Sequence, residues 1–162
     1  MPGISLERIA RLTATRDRHE AAAMLPALAQ QITAARRVLY LEKDAPGDVW
    51  HVRHRVGRQA PDMEKLFRLV QRATVSGRNV RAVGTHGIWA AYPLPSSPAT
   101  PGALVLHLPR RDRKNEGELN RLLRIYRNLL LLHERSEWDA LTGLHNRRSF
   151  GDEVGRLMYP AR

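Results

Sequence analysis

Histidine is the side chain best suited to carry a proton or hold a metal near neutral pH, and this chain has seven histidines but no cysteine. His51 and His54 are the nearest pair. On a strand an odd separation sends two side chains to opposite faces, so these rings are not expected to chelate together. His86 and His107 could share a ligand only if the fold joined their segments. Satisfied or solvent-facing histidines are the expectation, with no metal site and no catalytic residue. The lack of cysteine excludes disulfides, thiolate metal sites and thioether-linked chromophores, and it fits a reducing, cytoplasmic location. A second group of chemistry-bearing residues lies near the C-terminal end, in WDALTGLHNRRSF, Trp138 to Phe150. Physically it reads as a turn between helices. Gly143 permits backbone conformations that other residues resist, Leu141 and Leu144 can anchor the turn in apolar surface, and Arg147 could close it onto Asp139.

The elements that must position these groups follow from periodicity. Ile4, Leu6, Ile9 and Leu12 predict a short first helix, and Ala21, Met24, Leu25, Leu28, Ile32 and Ala35 recur at helical spacing through a second. RVLYLEKD (37–44) is a short apolar run turning polar, and APGD (45–48) is a turn. VWHVRHRVG then alternates, which places Trp50, Val52, His54 and Val56 on one face and His51, Arg53 and Arg55 on the other. Pro61 opens a helix with Met63, Leu66, Phe67, Val70 and Ala73 on its apolar stripe, ended by Ser76 and Gly77. NVRAV adds a short strand. GIWAAYPL (87–94) and GALVLHLP (102–109) are two more strands, joined by PSSPATP, whose prolines cannot lie in interior sheet. One long helix runs from near Asn115 at least to Trp138. The order predicts an α+β fold, an antiparallel sheet with helices on one side and a long C-terminal helix. Four parts are expected: an N-terminal helical segment (1–17), a central domain (18–112), the long helix (113–138) and a tail (139–162).

Composition limits the partners. The chain has 162 residues and a net charge of +11, and 24 of its 27 basic residues are arginine. Such a balance suits phosphate neutralisation, but the arginines are scattered and aromatics make up only 6%. No stacking platform alternates with a basic groove, so nucleic acid is not an expected partner. The N-terminus MPGISLERIARL lacks the apolar core of a signal peptide. No stretch reaches the length of a membrane span, so no membrane partner is expected.

The order of elements, with AAYPL before one turn and GALVLHL after it, resembles a GAF domain over about residues 18–135; a PAS domain is the runner-up. The resemblance implies a regulatory domain with a ligand pocket between the sheet and its capping helices. Trp89, Tyr92 and Phe67 are the candidate lining residues, although core packing explains them equally well. A small-molecule ligand of unknown class is the implied partner. The absent cysteine removes covalent bilin attachment, and the N-K-x-F-x-x-x-D-E pattern of cyclic-nucleotide GAF domains is missing.

Asp139, Leu141, Thr142, Gly143, Leu144, Asn146, Arg147, Arg148 and Phe150 resemble the D-x-L-T-G-L-x-N-R-R-x-F opening motif of GGDEF-type diguanylate cyclases. By that resemblance Asn146 matches the asparagine that hydrogen-bonds the guanine of GTP, a role its donor-and-acceptor amide suits. The sequence ends before any metal-binding aspartate or GG(D/E)EF signature, and GDEV (151–154) is only a helix opening. The expectation is therefore a sensory domain cut just inside its output domain, with no catalysis in this fragment. Magnesium and GTP would be cofactor and substrate only of the full-length protein.

Between the two lies the long helix. Leu119, Leu122, Tyr126, Leu129 and His133 follow the alternating three- and four-residue steps of a coiled-coil seam, with Leu123 and Leu130 widening the stripe. Two readings stand side by side: a parallel homodimer seam, and packing on the domain's own sheet. Diguanylate cyclases resemble half-sites that must face each other, so a paired helix could set their geometry. The function implied is a sensory and dimerisation domain controlling a C-terminal cyclase in cyclic di-GMP signalling; a constitutive dimerisation scaffold without ligand is the alternative.

Overall fold

The computed structural model describes residues 6–44, 49–57, 62–84, 86–97, 100–109 and 115–137. In chain order the elements are α1 (Leu6–Ala14), α2 (Arg18–Thr33), β1 (Arg37–Lys43), β2 (Trp50–Val56), α3 (Met63–Ser76), β3 (Val80–Gly84), β4 (Gly87–Ser97), β5 (Thr100–Leu108) and α4 (Glu116–Glu137). The strands form one antiparallel sheet in the order β2-β1-β5-β4-β3. The α+β class is as the sequence indicates.

Local chemistry sets the helix ends. Asp17 caps α2 by accepting the His19 backbone N–H at 2.8 Å, and Asp62 caps α3 by accepting that of Lys65 at 3.3 Å, which satisfies donors that the first turn leaves free. Gly77 closes α3 at φ +64°, where its N–H reaches Thr74 O at 3.4 Å, a left-handed cap that suits glycine.

The core is two layers divided by the sheet. On one face Val38, Tyr40, Ala90, Tyr92, Leu104 and Leu106 meet α2 and α4, together with Leu12 of α1. On the other, Leu39, Leu41, Ala91, Ala103 and Val105 meet Leu66, Leu69, Val70 and Ala73 of α3. Helices therefore cover both faces, and the expectation of helices on one side holds only for α1, α2 and α4. The cause lies in the strands: β1 and β5 sit inside the sheet and are apolar at consecutive positions, so each face needs its own cover.

A bulge changes β2. Val52 pairs with Leu41 and His54 with Tyr40, so Arg53 has no opposite number. Up to this point Trp50 and Val52 face the α3 layer; beyond it His54 and Val56 face the α2 layer, opposite Tyr40 and Val38. The expected four-residue face is thus split in two, because one extra residue reverses the alternation. It also corrects the placing of His51 and His54 on opposite faces: both stand opposite Glu42 and Tyr40, on one side of the sheet.

The hairpin of β4 and β5 runs further than PSSPATP suggests, with Pro95 opposite Pro101 and Ser97 opposite Thr100. It passes the last pairs made by β1 and β3, at Gly102 and Ala91. Pro95 and Pro101 therefore lie where only the two hairpin strands pair, outside the interior of the sheet.

Candidate functional site

The residues expected to line a pocket are divided between the two layers. Phe67 and Trp89 are half-buried on the α3 face, whereas Tyr92 is buried on the α4 face. Trp89 and Tyr92 are three residues apart on one strand, an odd step, so they cannot share a face. Beside Trp89 the sheet places His107, its partner in the β4–β5 register. The rings stack at 4.4 Å between centroids and 12° between planes. Gly87 makes room for this: a Cβ there would stand 2.4 Å from Leu108 O and 2.8 Å from His107 Nε2.

His107 is 5% exposed, and its Nδ1 has no hydrogen-bond partner among the described residues. Burial, then the positive charges of Arg37 and Arg36 and the nearby His86, hold its pKa below the ordinary 6.5. The ring is therefore neutral at pH 7. Arg36 ties the neighbourhood together by donating its backbone N–H to His107 O at 2.9 Å and its guanidinium to His86 O at 3.0 Å. The fold thus brings the segments of His86 and His107 together. Among the described residues, no group of three or more His, Asp or Glu side chains is placed to hold a metal.

A polar chain occupies the opposite layer. Tyr40 donates its hydroxyl to Glu42 Oε1 at 2.9 Å, and Tyr126 of α4 donates to Tyr40 Oη at 3.4 Å, the rings meeting edge to face. Glu42 continues to Arg53 (3.4 Å), Arg53 to Asp44 (2.6 Å), and Asp44 to His51 (3.0 Å). The chain leads from the core face of α4 to the surface of the β1–β2 hairpin. Burial raises both tyrosine pKa values, that of Tyr126 to about 12, so both hydroxyls stay protonated at neutral pH and act as donors. Sequence reasoning did not find this chain. Its signal was there: Tyr40 and Glu42 are two apart on a strand and so share a face.

The five seam residues have other partners than a second helix. Leu119, Leu122, Tyr126 and Leu129 are 1%, 0%, 0% and 6% exposed within the chain's own core. His133 Nε2 lies 2.9 Å from Thr15 O at the end of α1. Packing on the domain's own sheet, the second reading of this stripe, is what the structure shows. Only past Leu130 does α4 present apolar surface, at Leu131 (51% exposed) and Leu132 (62%). Asp139, Leu141, Thr142, Gly143, Leu144, Asn146, Arg147, Arg148 and Phe150 lie outside the described residues.

Solved structures of similar architecture include several GAF domains. The free methionine-R-sulfoxide reductase from Neisseria meningitidis, solved with its substrate, aligns with a TM-score of 0.60 at 16% identity, covering 80% of this chain and 87% of that one. The GAF domain of an Acinetobacter phosphoenolpyruvate-protein phosphotransferase aligns at 0.57 with 10% identity, over 83% and 97% of the two chains. The GAF domain of a putative sensor histidine kinase from Pseudomonas syringae aligns at 0.52 with 19% identity, over 93% and 89%. At these identities the likeness is one of fold, and the chain has a GAF-like α+β fold. No family model and no curated protein matches the sequence.

Proposed function

We propose that this chain is the regulatory domain of a diguanylate cyclase, with α4 carrying changes in the GAF-like core to a catalytic module that opens at Asp139. The observation that carries the reading is the continuity of α4. It belongs to the core through Leu130, rests on the end of α1 at His133 and runs on to Glu137, two residues before the D-x-L-T-G-L-x-N-R-R-x-F sequence. A helix rooted in a sensing core and leading into an output sequence can transmit a change in packing as a change in direction or pairing. The GAF-like fold supports a sensory role, and Asn146 supports a guanine nucleotide as substrate, with magnesium as cofactor, of a protein in which a complete cyclase module follows.

In this reading two copies pair in parallel through the exposed end of α4, since the upper seam is engaged internally. The test lies in the coding sequence past Arg162, which should contain GG(D/E)EF. The longer protein should convert GTP and magnesium to cyclic di-GMP, whereas residues 1–162 should not. A continuing frame without that signature removes the cyclase from the proposal.

The second reading, a scaffold without ligand, is favoured by the packed α3 face, where Leu66, Leu69 and Val70 fill against the sheet. Native mass spectrometry of protein purified from its own host separates the two: a retained small molecule supports a sensor, and apo mass alone supports the scaffold.

A further inference from the structure

Polar side chains of α4 and the turn after α3 enclose an open groove of about 390 Å³, lined by Asn79, Asn120, Arg121, Arg124 and Arg127, with Gly117 at its mouth. The size is that of a small-molecule site, on the order of 300–1,000 Å³. Its lining holds three guanidinium groups and no carboxylate. Arg127 is fixed by donating to Pro93 O at 2.9 Å. Arg121 and Arg124 are exposed and make no ion pair among the described residues. Of the two acids in the first turn of the helix, Glu116 is bound to Arg81 at 2.7 Å, and Glu118, one turn before Arg121, lies outside the groove lining. A Cβ on Gly117 would meet nothing within 4 Å, so the mouth is open.

Three cations at steps of three along one helix repel one another. Nothing in the lining offsets this. We propose that the groove binds a small multivalent oxyanion, a phosphate- or polycarboxylate-bearing metabolite, held by forked contacts from Arg121, Arg124 and Arg127. Guanidinium matches the oxygen spacing of both groups, and the amides of Asn79 and Asn120 can each donate or accept beside it. Binding here acts on α4 directly, and the inference stands whether or not a cyclase follows the helix.

The test is calorimetric titration of the chain with inorganic pyrophosphate and with citrate at constant ionic strength near 0.15 M, where diffuse attraction is screened beyond about 8 Å. The parent should saturate with one site per chain. Arg121→Gln with Arg124→Gln should weaken binding at least about tenfold. So should Gly117→Glu, which leaves every arginine in place but adds a carboxylate at the mouth. Arg55→Gln with Arg72→Gln removes the same charge from exposed positions elsewhere and should stay within about twofold of the parent. Tighter binding of pyrophosphate assigns a phosphate-bearing ligand, and tighter binding of citrate a polycarboxylate. Unsaturable binding by the parent, or equal loss in the Arg55 and Arg72 variant, overturns the proposal.

Discussion

Tyr40 stands at the centre of the buried polar chain because its hydroxyl is used twice, donating to Glu42 and accepting from Tyr126. Losing it leaves two groups without their partner, whereas losing the Tyr126 hydroxyl leaves the Tyr40–Glu42 bond in place. Tyr40→Phe should therefore cost about 1–3 kcal/mol of unfolding free energy, and Tyr126→Phe only about 0.5–1.5 kcal/mol. Urea denaturation of both variants measures the difference, and equal losses would show that the chain carries no such asymmetry. His107 sets a pH dependence. Its folded pKa lies below 6.5, chiefly through burial, and that of His54 is lowered for the same first reason. A neutral imidazole favoured in the fold gives stability that is complete above the unfolded value and declines as pH falls below 6.5. Denaturation midpoints taken from pH 7.5 to 5 should fall, and His107→Gln should flatten that slope even if it lowers the midpoint throughout. An unchanged slope would rule out His107 as a source of it.

At the scale of the element, α4 joins two kinds of surface in one helix. Leu122 is fully buried and Leu132 is 62% exposed. Leu122→Ala should cost about 2–5 kcal/mol by lost transfer energy and cavity formation, and Leu132→Ala about 0.5 kcal/mol or less. Thermal melts of the two variants give the comparison, with similar losses counting against the described packing. Periodicity alone could not decide what the stripe touches, because Leu119, Leu122 and Leu129 have the same spacing whether they meet a partner helix or a sheet. Other elements were legible in part: Ala21, Leu25, Leu28 and Ile32 of α2 and Leu66, Val70 and Ala73 of α3 are buried as their spacing suggests, Met24, Met63 and Phe67 are only half-buried, and Gly77 ends α3. The bulge at Arg53 was not, since it depends on how β2 registers against β1. Nor was the placement of α3, because β1 must pair with β5, far away in sequence, before there is a second face to cover. Of the three candidate lining residues, Phe67 and Trp89 share the α3 layer and Tyr92 parts from them by strand parity, which the sequence did contain.

For the whole molecule, the pairing proposed above would rest on a small apolar surface. Leu131 and Leu132 are exposed and lie outside the described core, so substitution there separates the proposed association from stability. Leu131→Glu with Leu132→Glu should sediment as a monomer and melt within a few degrees of the parent, whose loss of core contacts is nil. A parent chain that is itself monomeric at micromolar concentration would remove pairing from the proposed function of this segment.

The passage of α4 out of the core also divides its backbone by time. Up to Leu130 its amides are shielded by side chains that belong to the sheet layer, so their hydrogens should exchange with solvent mainly through cooperative opening of the domain. Beyond Leu130 only seven residues remain to Glu137, about 10 Å of helix, and local fraying can expose their amides without disturbing a strand. Deuterium uptake along α4 should therefore change steeply at Leu130. Whatever alters the core can reach the final turns through that boundary and through the contact of His133 with Thr15 O, as a shift in how often they are helical.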